Sequence, residues 1–158
     1  MKKSKSADDT DASALVITRV FDASPEMVFS LWSDPEYVKR WWHPRAFTTP
    51  VFEMDFREGG AYRYCIRTNG TDSWAKGFYR EITAPERLVF TFRWDSGDAD
   101  HDAETLITVT FESQDGKTLL TFRQEPFASV DRRDGHAQGW CQVLDGLGDF
   151  LATGGQTR

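Results

Sequence analysis

The strongest amphipathic pattern in the chain lies near its C-terminus, at residues 131–152. At about 100° per residue, its apolar side chains gather on one face, and acidic and amide side chains take the opposite face. The inner face comprises Arg133, His136, Ala137, Trp140, Val143, Leu144, Leu147 and Leu151. Glycines at 135, 139, 146 and 148 interrupt the segment, and each costs about 1 kcal/mol of helix propensity relative to alanine. We therefore predict one long helix that is held by packing. Gly135, Gly139 and Gly146 lie in a narrow arc beside the apolar face, where the helix backbone could approach another element closely.

Upstream of this helix, the hydrophobic pattern changes to a period of two, which is typical of half-buried strands. The predicted strands cover residues 14–21, 51–56, 61–68, 73–83, 88–94, 105–112 and 117–125. Asn69-Gly70 and Asp115-Gly116 are dipeptides that favour tight hairpins. The inward face of the strand at 73–83 is ambiguous. The pattern predicts a meander of sequential antiparallel strands.

Two short helices are predicted between the first strand and this meander. Ser24 followed by Pro25 is a favourable helix start, and this helix should run to about residue 33. Asp34 and Pro35 start the second helix, at residues 35–42. Because adjacent residues on a helix point in different directions, we expect one of Trp41 and Trp42 in the core and the other at an opening.

These elements predict an α+β helix-grip fold. A curved antiparallel sheet of about six to seven strands would grip the long C-terminal helix, with the two short helices following the first strand. We expect a single domain at residues 14–154 and a disordered tail at residues 1–13, which are charged, small and polar.

Composition excludes several classes of partner. The net charge of −6 argues against nucleic acid, which requires clustered lysine and arginine, and against an anionic membrane surface. The chain has no apolar run of about 20 residues and no apolar segment after its N-terminal lysines, so we predict neither a membrane span nor a secretory signal. We expect a cytoplasmic protein in which Cys65 and Cys141 are free thiols.

Aromatic residues make up 14% of the chain, including six tryptophans, which indicates either a cavity or a densely filled core. A few polar groups among aromatic side chains are the usual lining of a ligand site. Our candidate ligand-binding residues are Trp42, His43, Tyr62, Tyr64, Trp74, Phe92, Trp94, Arg133, His136, Trp140 and Leu144.

Three polar candidates have alternative interpretations. His136 could anchor a ligand or act as a general base, or it could be a hydrogen-bonded histidine where helix and sheet meet. Arg133 could bind an acidic ligand group or reach solvent at the start of the helix. His43 could form the rim of a pocket or lie in an exposed loop.

The acidic segment at residues 95–102 raises the question of a metal site. Asp98, Asp100 and Asp102 resemble a calcium loop, but no glycine follows Asp102, and Val109 occupies the position of the bidentate glutamate. His101 and the cysteines lack zinc-ligand spacing. No phosphate loop, dinucleotide motif or nucleophile elbow is present. We therefore predict a solvated loop, with no metal, cofactor or catalytic residue.

The order of motifs resembles a known family. The relevant segments are ITRVFDASPEMVFSLWSDPEYVKRWW, MDFREGGAYRY, GFYREITAPERLVFTFRW, TVTFE, LLTFRQEPF and HAQGWCQVLDGLGDFL. Together they resemble the homologues of the heat-shock-protein-90 ATPase activator, within the START-like (SRPBCC, helix-grip) superfamily, over about residues 15–152.

This resemblance implies a cavity-bearing fold and leaves three functions open. The first is binding of a small apolar or aromatic ligand between sheet and helix, without an assigned reaction. The second is a chaperone-cofactor-like interaction module that uses the acidic loop and outer faces. The third is a polyketide-cyclase-like enzyme with His136 as base.

Overall fold

One antiparallel sheet organises the chain in the computed structural model, which describes residues 13–153. Its strands are β1 (Leu15–Phe21), β2 (Thr48–Met54), β3 (Ala61–Thr68), β4 (Thr71–Thr83), β5 (Arg87–Trp94), β6 (Thr105–Gln114) and β7 (Lys117–Glu125). They lie in the order β1-β7-β6-β5-β4-β3-β2. Residues 1–12 of the predicted tail lie outside the described residues, and only Ser13 of the tail is included. Gly154, the predicted end of the domain, also lies outside them.

Local sequence signals account for the hairpins. Asn69 and Gly70 have φ angles of 51° and 77°, and Asp115 and Gly116 have 55° and 82°. Two successive positive φ angles match the right-handed twist of the flanking strands, and Asn-Gly and Asp-Gly adopt them readily. The predicted meander is therefore confirmed, and β1 extends it by pairing with β7.

Three helices complete the fold: α1 (Pro25–Ser30), α2 (Pro35–Trp41) and α3 (Val130–Thr153). Ser24 Oγ accepts from Met27 N at 3.2 Å, and Asp34 Oδ1 accepts from Glu36 N at 2.9 Å, so both predicted N-caps are present. Helix α1 ends three residues earlier than predicted. The Leu31 carbonyl there accepts from Trp41 Nε1 at 3.1 Å, which ties α1 to α2.

Helix α3 closes the concave side of the sheet. Its residues Trp140, Val143, Leu144, Leu147 and Leu151 are buried. It packs against β1 and α2. Within residues 13–153, no helix has the length and apolarity needed to cross a membrane. The predicted helix-grip architecture is confirmed.

A register shift in β4 between Tyr79 and Glu81 explains why the inward face of this strand was ambiguous. Before the shift, Ala75, Gly77 and Tyr79 are buried, whereas Phe78 is 52% exposed. After it, the phase of the alternation changes. A side chain at Gly77 would collide with the Thr91 carbonyl oxygen, so glycine is required for this close approach.

Candidate functional site

A cavity of about 330 Å³ lies between the N-terminal half of α3, strand β3 and the end of β5. It is lined by Trp42, His43, Pro44, Tyr64, Ile66, Trp94, His101, Arg132, Gly135, His136, Gly139, Trp140 and Val143. Small-molecule sites typically enclose about 300–1,000 Å³ and have mostly apolar walls with a few polar groups. This cavity lies within that range of volumes, and its lining is mostly apolar with a few polar groups.

Two glycines of α3 give the cavity part of its volume. A Cβ atom at Gly135 or Gly139 would meet nothing within 4 Å. At Gly146 it would lie 3.4 Å from the Trp41 carbonyl oxygen, and at Gly148 3.4 Å from Phe21 Cε1. The predicted close approach therefore holds for Gly146 but is wrong for Gly135 and Gly139, which leave open space.

His136 connects the helix to the sheet at one end of the cavity. Trp94 Nε1 donates to His136 Nε2 at 3.0 Å, and His136 Nδ1 lies 2.9 Å from the Arg132 carbonyl oxygen. Because an indole nitrogen can only donate, Nε2 is the acceptor and Nδ1 carries the proton. Burial lowers the pKa of His136, although the bond to the Arg132 carbonyl opposes this. Both ring nitrogens are engaged, so no free lone pair serves a general base.

Asp102 stabilises the loop that borders the cavity. Its carboxylate accepts from Ser96 N at 2.9 Å, Gly97 N at 2.8 Å, Ser96 Oγ at 2.7 Å and His101 Nδ1 at 3.0 Å. Burial alone raises the pKa of Asp102, but these hydrogen bonds outweigh it and hold the pKa well below its usual range. The prediction of a solvated loop is therefore wrong for Asp102. In the described part of the chain, no cluster of three His, Cys, Asp or Glu side chains could hold a metal ion.

His101 and Arg132 lie on the cavity wall, although the sequence reasoning missed both. The His101 ring stacks on Trp94 with centroids 5.8 Å apart, and Arg132 Nη1 donates to the Asp100 carbonyl at 2.8 Å. Arg133, the predicted arginine, instead pairs with Asp134 at 3.0 Å and does not line the cavity.

A spacing rule would have found the missing helix residues. From Val143, which also lines the cavity, steps of three and four toward the N-terminus reach Trp140, Gly139, His136, Gly135 and Arg132, which form one row along α3. Hydrophobic periodicity overlooks this row because glycine and arginine contribute no apolar signal. No comparable signal points to His101, which reaches the wall through the loop.

A buried hydrogen-bond network fixes Trp140 on the wall. Trp140 Nε1 donates to Gln124 Oε1 at 2.7 Å, Gln124 Nε2 donates to Thr105 Oγ1 at 2.9 Å, and Thr105 Oγ1 donates to the Phe92 carbonyl at 3.2 Å. Gln124 is fully buried. This network links α3 to three neighbouring strands and sets the orientation of the indole.

Trp42 and Tyr64 meet on another part of the wall, with ring centroids 5.8 Å apart and an interplanar angle of 72°. Trp42 is only 4% exposed. Its Nε1 is buried and has no hydrogen-bond partner among the described groups. Burial raises the pKa of the Tyr64 hydroxyl, and the Trp42 indole opposes this shift. The hydroxyl therefore stays protonated and can donate.

Six of the eleven predicted ligand residues lie on the cavity wall: Trp42, His43, Tyr64, Trp94, His136 and Trp140. His43 is half-buried, and its Nδ1 lies 3.2 Å from the Pro44 carbonyl oxygen. Phe92 and Leu144 lie in the core, and Phe92 contacts Trp140 edge-on at 5.6 Å. Both thus support the wall rather than form it.

The remaining predicted aromatics, Tyr62 and Trp74, do not line the cavity. The Tyr62 hydroxyl donates to the Thr91 carbonyl at 2.6 Å in the core. Trp74 lies on the outer face of β4, where the Arg63 guanidinium sits 4.0 Å from its ring centroid. The phase of β4 before its register shift turns Trp74 away from the helix.

Comparison with known proteins places this geometry in a family. A protein from Chromobacterium violaceum shares 28% identity and a TM-score of 0.80, with 87% of this chain and 96% of that chain covered. A protein from Arthrobacter aurescens shares 25% identity and a TM-score of 0.78, covering 91% and 88%. The AHSA1 protein from Silicibacter pomeroyi shares the fold at 24% identity and a TM-score of 0.78, covering 88% and 97%.

No curated protein matches this chain significantly. The family profile described as Activator of Hsp90 ATPase homolog 1-like protein matches residues 22–152. The predicted START-like (SRPBCC) helix-grip fold and the predicted family resemblance are thus both confirmed. Since this match spans most of the chain and agrees with the fold, the protein belongs to the Activator of Hsp90 ATPase homolog 1-like family.

Proposed function

We propose that this protein binds a small, largely apolar molecule in the cavity beside α3. The observation that carries the proposal is the cavity itself, about 330 Å³ bordered by aromatic side chains. Gly135 and Gly139 keep this space open although each costs the helix about 1 kcal/mol relative to alanine. Alanine at either position would strengthen the helix and reduce the cavity, so the glycines that keep the volume open support a binding role.

Apolar burial and aromatic contacts with the wall would both contribute to the binding of a ring compound. Each Å² of apolar surface removed from water contributes about 25 cal/mol. Edge-on or offset contacts with Trp42, Tyr64, Trp94 and Trp140 would add roughly 0.5–1.5 kcal/mol per aromatic pair. We propose binding without a reaction, because both ring nitrogens of His136 already form hydrogen bonds.

The family description raises a second candidate, a chaperone-cofactor-like interaction module. The supporting observation is the outer face of the edge strand β1, where Val16 and Val20 are 51% and 56% exposed. Two exposed valines make a small patch, and single surface hydrophobics are common in monomers. The cavity therefore supports ligand binding more strongly than this face supports a protein partner.

Titration with N-phenyl-1-naphthylamine, a neutral fluorophore that brightens in apolar surroundings, tests the cavity proposal. We expect saturable binding with quenching of tryptophan emission, because Trp42, Trp94 and Trp140 line the cavity. Gly139→Leu should fill the space and weaken binding by about tenfold or more. The matched control Gly148→Ala, which changes a helix glycine outside the cavity, should bind like the wild type.

Circular dichroism would show that both variants remain folded. Equal affinity of wild type and Gly139→Leu for the probe would locate binding outside the cavity and refute the proposal. Absence of saturable binding to the wild type would also count against it.

A further inference from the structure

We propose that protonation of His136 breaks its hydrogen bond with Trp94, displaces this part of the cavity wall and thereby weakens ligand binding under mildly acidic conditions. This inference rests on the proposed function, because it concerns the regulation of the same cavity.

The first observation is that the Trp94 indole already occupies the one lone pair of His136 Nε2. Trp94 Nε1 donates to Nε2 at 3.0 Å, and Nδ1, which carries the ring proton, lies 2.9 Å from the Arg132 carbonyl oxygen. A second proton on the imidazole must therefore go to Nε2. Since an indole nitrogen can only donate, two N–H groups would then face each other and the hydrogen bond would be lost.

The second observation is that both partners belong to the wall between two spaces. Trp94, His101, Arg132 and His136 line the main cavity, and the same four residues line a second cavity of about 30 Å³ beside the loop between β5 and β6. Roughly 10–15 Å³ is enough for one water molecule. The smaller cavity therefore has room for a water molecule that hydrates the released indole N–H or the imidazolium.

The position of Trp94 allows such a movement. Its remaining ring contacts are an edge-on contact with Phe92 at 5.3 Å and a stacked contact with His101 at 5.8 Å. Trp94 is half-buried, whereas Phe92 is buried in the core. Loss of the hydrogen bond would therefore let the indole turn while the core keeps its packing.

The surroundings of His136 favour the neutral imidazole near neutral pH. Burial lowers the pKa of His136, and the positive charges of His101 and Arg132 lower it further, whereas the hydrogen bond to the Arg132 carbonyl opposes the shift. The two other elements that pack against the ring present uncharged groups: Trp94 from β5, and Phe127 after β7, whose ring centroid lies 5.0 Å away. The Trp94 hydrogen bond is therefore intact at neutral pH and lost as His136 titrates.

His101 is the second titratable ring at this part of the wall, but it should respond differently. Its Nδ1 lies 3.0 Å from Asp102 Oδ1, and its ring stacks on Trp94. Protonation would place a cation beside a carboxylate and over an indole, which strengthens both contacts. Protonation of His101 would therefore hold Trp94 in place rather than release it.

Nuclear magnetic resonance of the indole ¹⁵N–¹H groups tests the contact without a ligand. As the pH falls from about 7.5 to about 5.5, the Trp94 signal, assigned by its loss in Trp94→Phe, should move upfield with the same midpoint as the His136 ring. The matched control is the Trp41 signal, which should stay in place because Trp41 donates to the Leu31 carbonyl. In Trp94→Phe, protonation no longer costs a hydrogen bond, so the His136 midpoint should rise by about 0.5–1 pH unit.

The affinity for N-phenyl-1-naphthylamine tests the consequence for binding. Over the same pH range, we expect the affinity of the wild type to fall about twofold or more relative to that of His136→Gln, whose amide oxygen can accept from Trp94 but does not titrate. His101→Gln should keep the pH-dependent fall of the wild type. Circular dichroism at each pH would show that the three proteins remain folded.

A Trp94 signal that does not titrate with His136, or an equal pH dependence of binding in wild type and His136→Gln, would overturn the inference and leave cavity binding intact. A pH dependence that disappears in His101→Gln would assign the effect to the other histidine and would also overturn it. If the fluorophore binds at no pH, the proposed function fails and the effect on binding fails with it, whereas the Trp94 titration still decides whether the contact responds to pH.

Discussion

The Gln124 network allows the most direct test of how the sheet positions the cavity wall. Gln124→Met keeps a long side chain of similar volume but removes both the acceptor for Trp140 Nε1 and the donor to Thr105 Oγ1. Thr105 retains its own donation to the Phe92 carbonyl. The substitution therefore leaves one buried donor, the Trp140 indole, without a partner.

The expected loss follows from this geometry. An orphaned buried donor costs about 1–3 kcal/mol, and a hydrogen bond contributes a further 0.5–1.5 kcal/mol, roughly, to net stability. We expect Gln124→Met to lower the free energy of unfolding by about 2–3 kcal/mol. For a chain of this size, each kcal/mol corresponds to roughly 2–4 °C in melting temperature. The matched control is Gln138→Met on the exposed side of α3, which should stay within about 0.5 kcal/mol of the wild type.

A double-mutant cycle isolates the hydrogen bond. Trp140→Phe removes the indole N–H, so Gln124→Met should cost about 1–2 kcal/mol less in that background than in the wild type. Urea unfolding of the four proteins, followed by tryptophan fluorescence and circular dichroism, gives the required free energies. A cost below about 0.5 kcal/mol that is equal in both backgrounds would show that the network does not secure Trp140.

Three further predictions concern the helix, pH and the acidic loop. Gly139→Ala should raise the free energy of unfolding by about 1 kcal/mol in urea titrations, because its Cβ meets nothing within 4 Å; a loss of stability would contradict the open space. Burial lowers the pKa of folded His136 below 6.5, so the unfolded chain binds more protons just below that pH. Stability should therefore be constant above about pH 6.5 and fall as the pH drops below it. The unfolding midpoint of His136→Gln should fall less steeply with decreasing pH than that of the wild type. Equal pH slopes of the midpoint in the two proteins would argue against a buried neutral imidazole. The double variant Asp98→Asn, Asp100→Asn should bind N-phenyl-1-naphthylamine like the wild type but capture less chaperone in a pull-down if the interaction alternative holds; weaker probe binding would instead connect the loop charges to the cavity.

Much of the fold could be predicted because its signals are local. Ser24 and Asp34 cap helices through their own side chains, and Asn69-Gly70 adopts the dihedral angles of its hairpin within two residues. In β6 and β7, the alternation of residues marks which side chains are buried. A sheet of sequential hairpins and an amphipathic helix have few other ways to cover their apolar faces.

The candidate site was predictable only in part. Trp42, Tyr64 and His136 were named from residue type and position, and all three lie on the cavity wall. Trp74 was misplaced because of the register shift in β4. Side chains before the shift face the opposite side of the sheet from the one that the alternation after the shift would predict. Arg132 was missed in favour of its neighbour because the helix row that lines the cavity follows glycines rather than apolar residues.

By itself, the sequence determined which segments form strands and helices, which faces most of them bury, with β4 as the exception, and which family the chain belongs to. The tertiary structure decided where a volume stays open, which indole N–H lacks a partner and that Asp102 lies inside its loop. The physical reason is the sequence separation between the groups that interact. Capping, turn formation and alternation depend on residues a few positions apart, whereas a cavity and an unsatisfied donor depend on groups that meet only after distant strands and helices have packed.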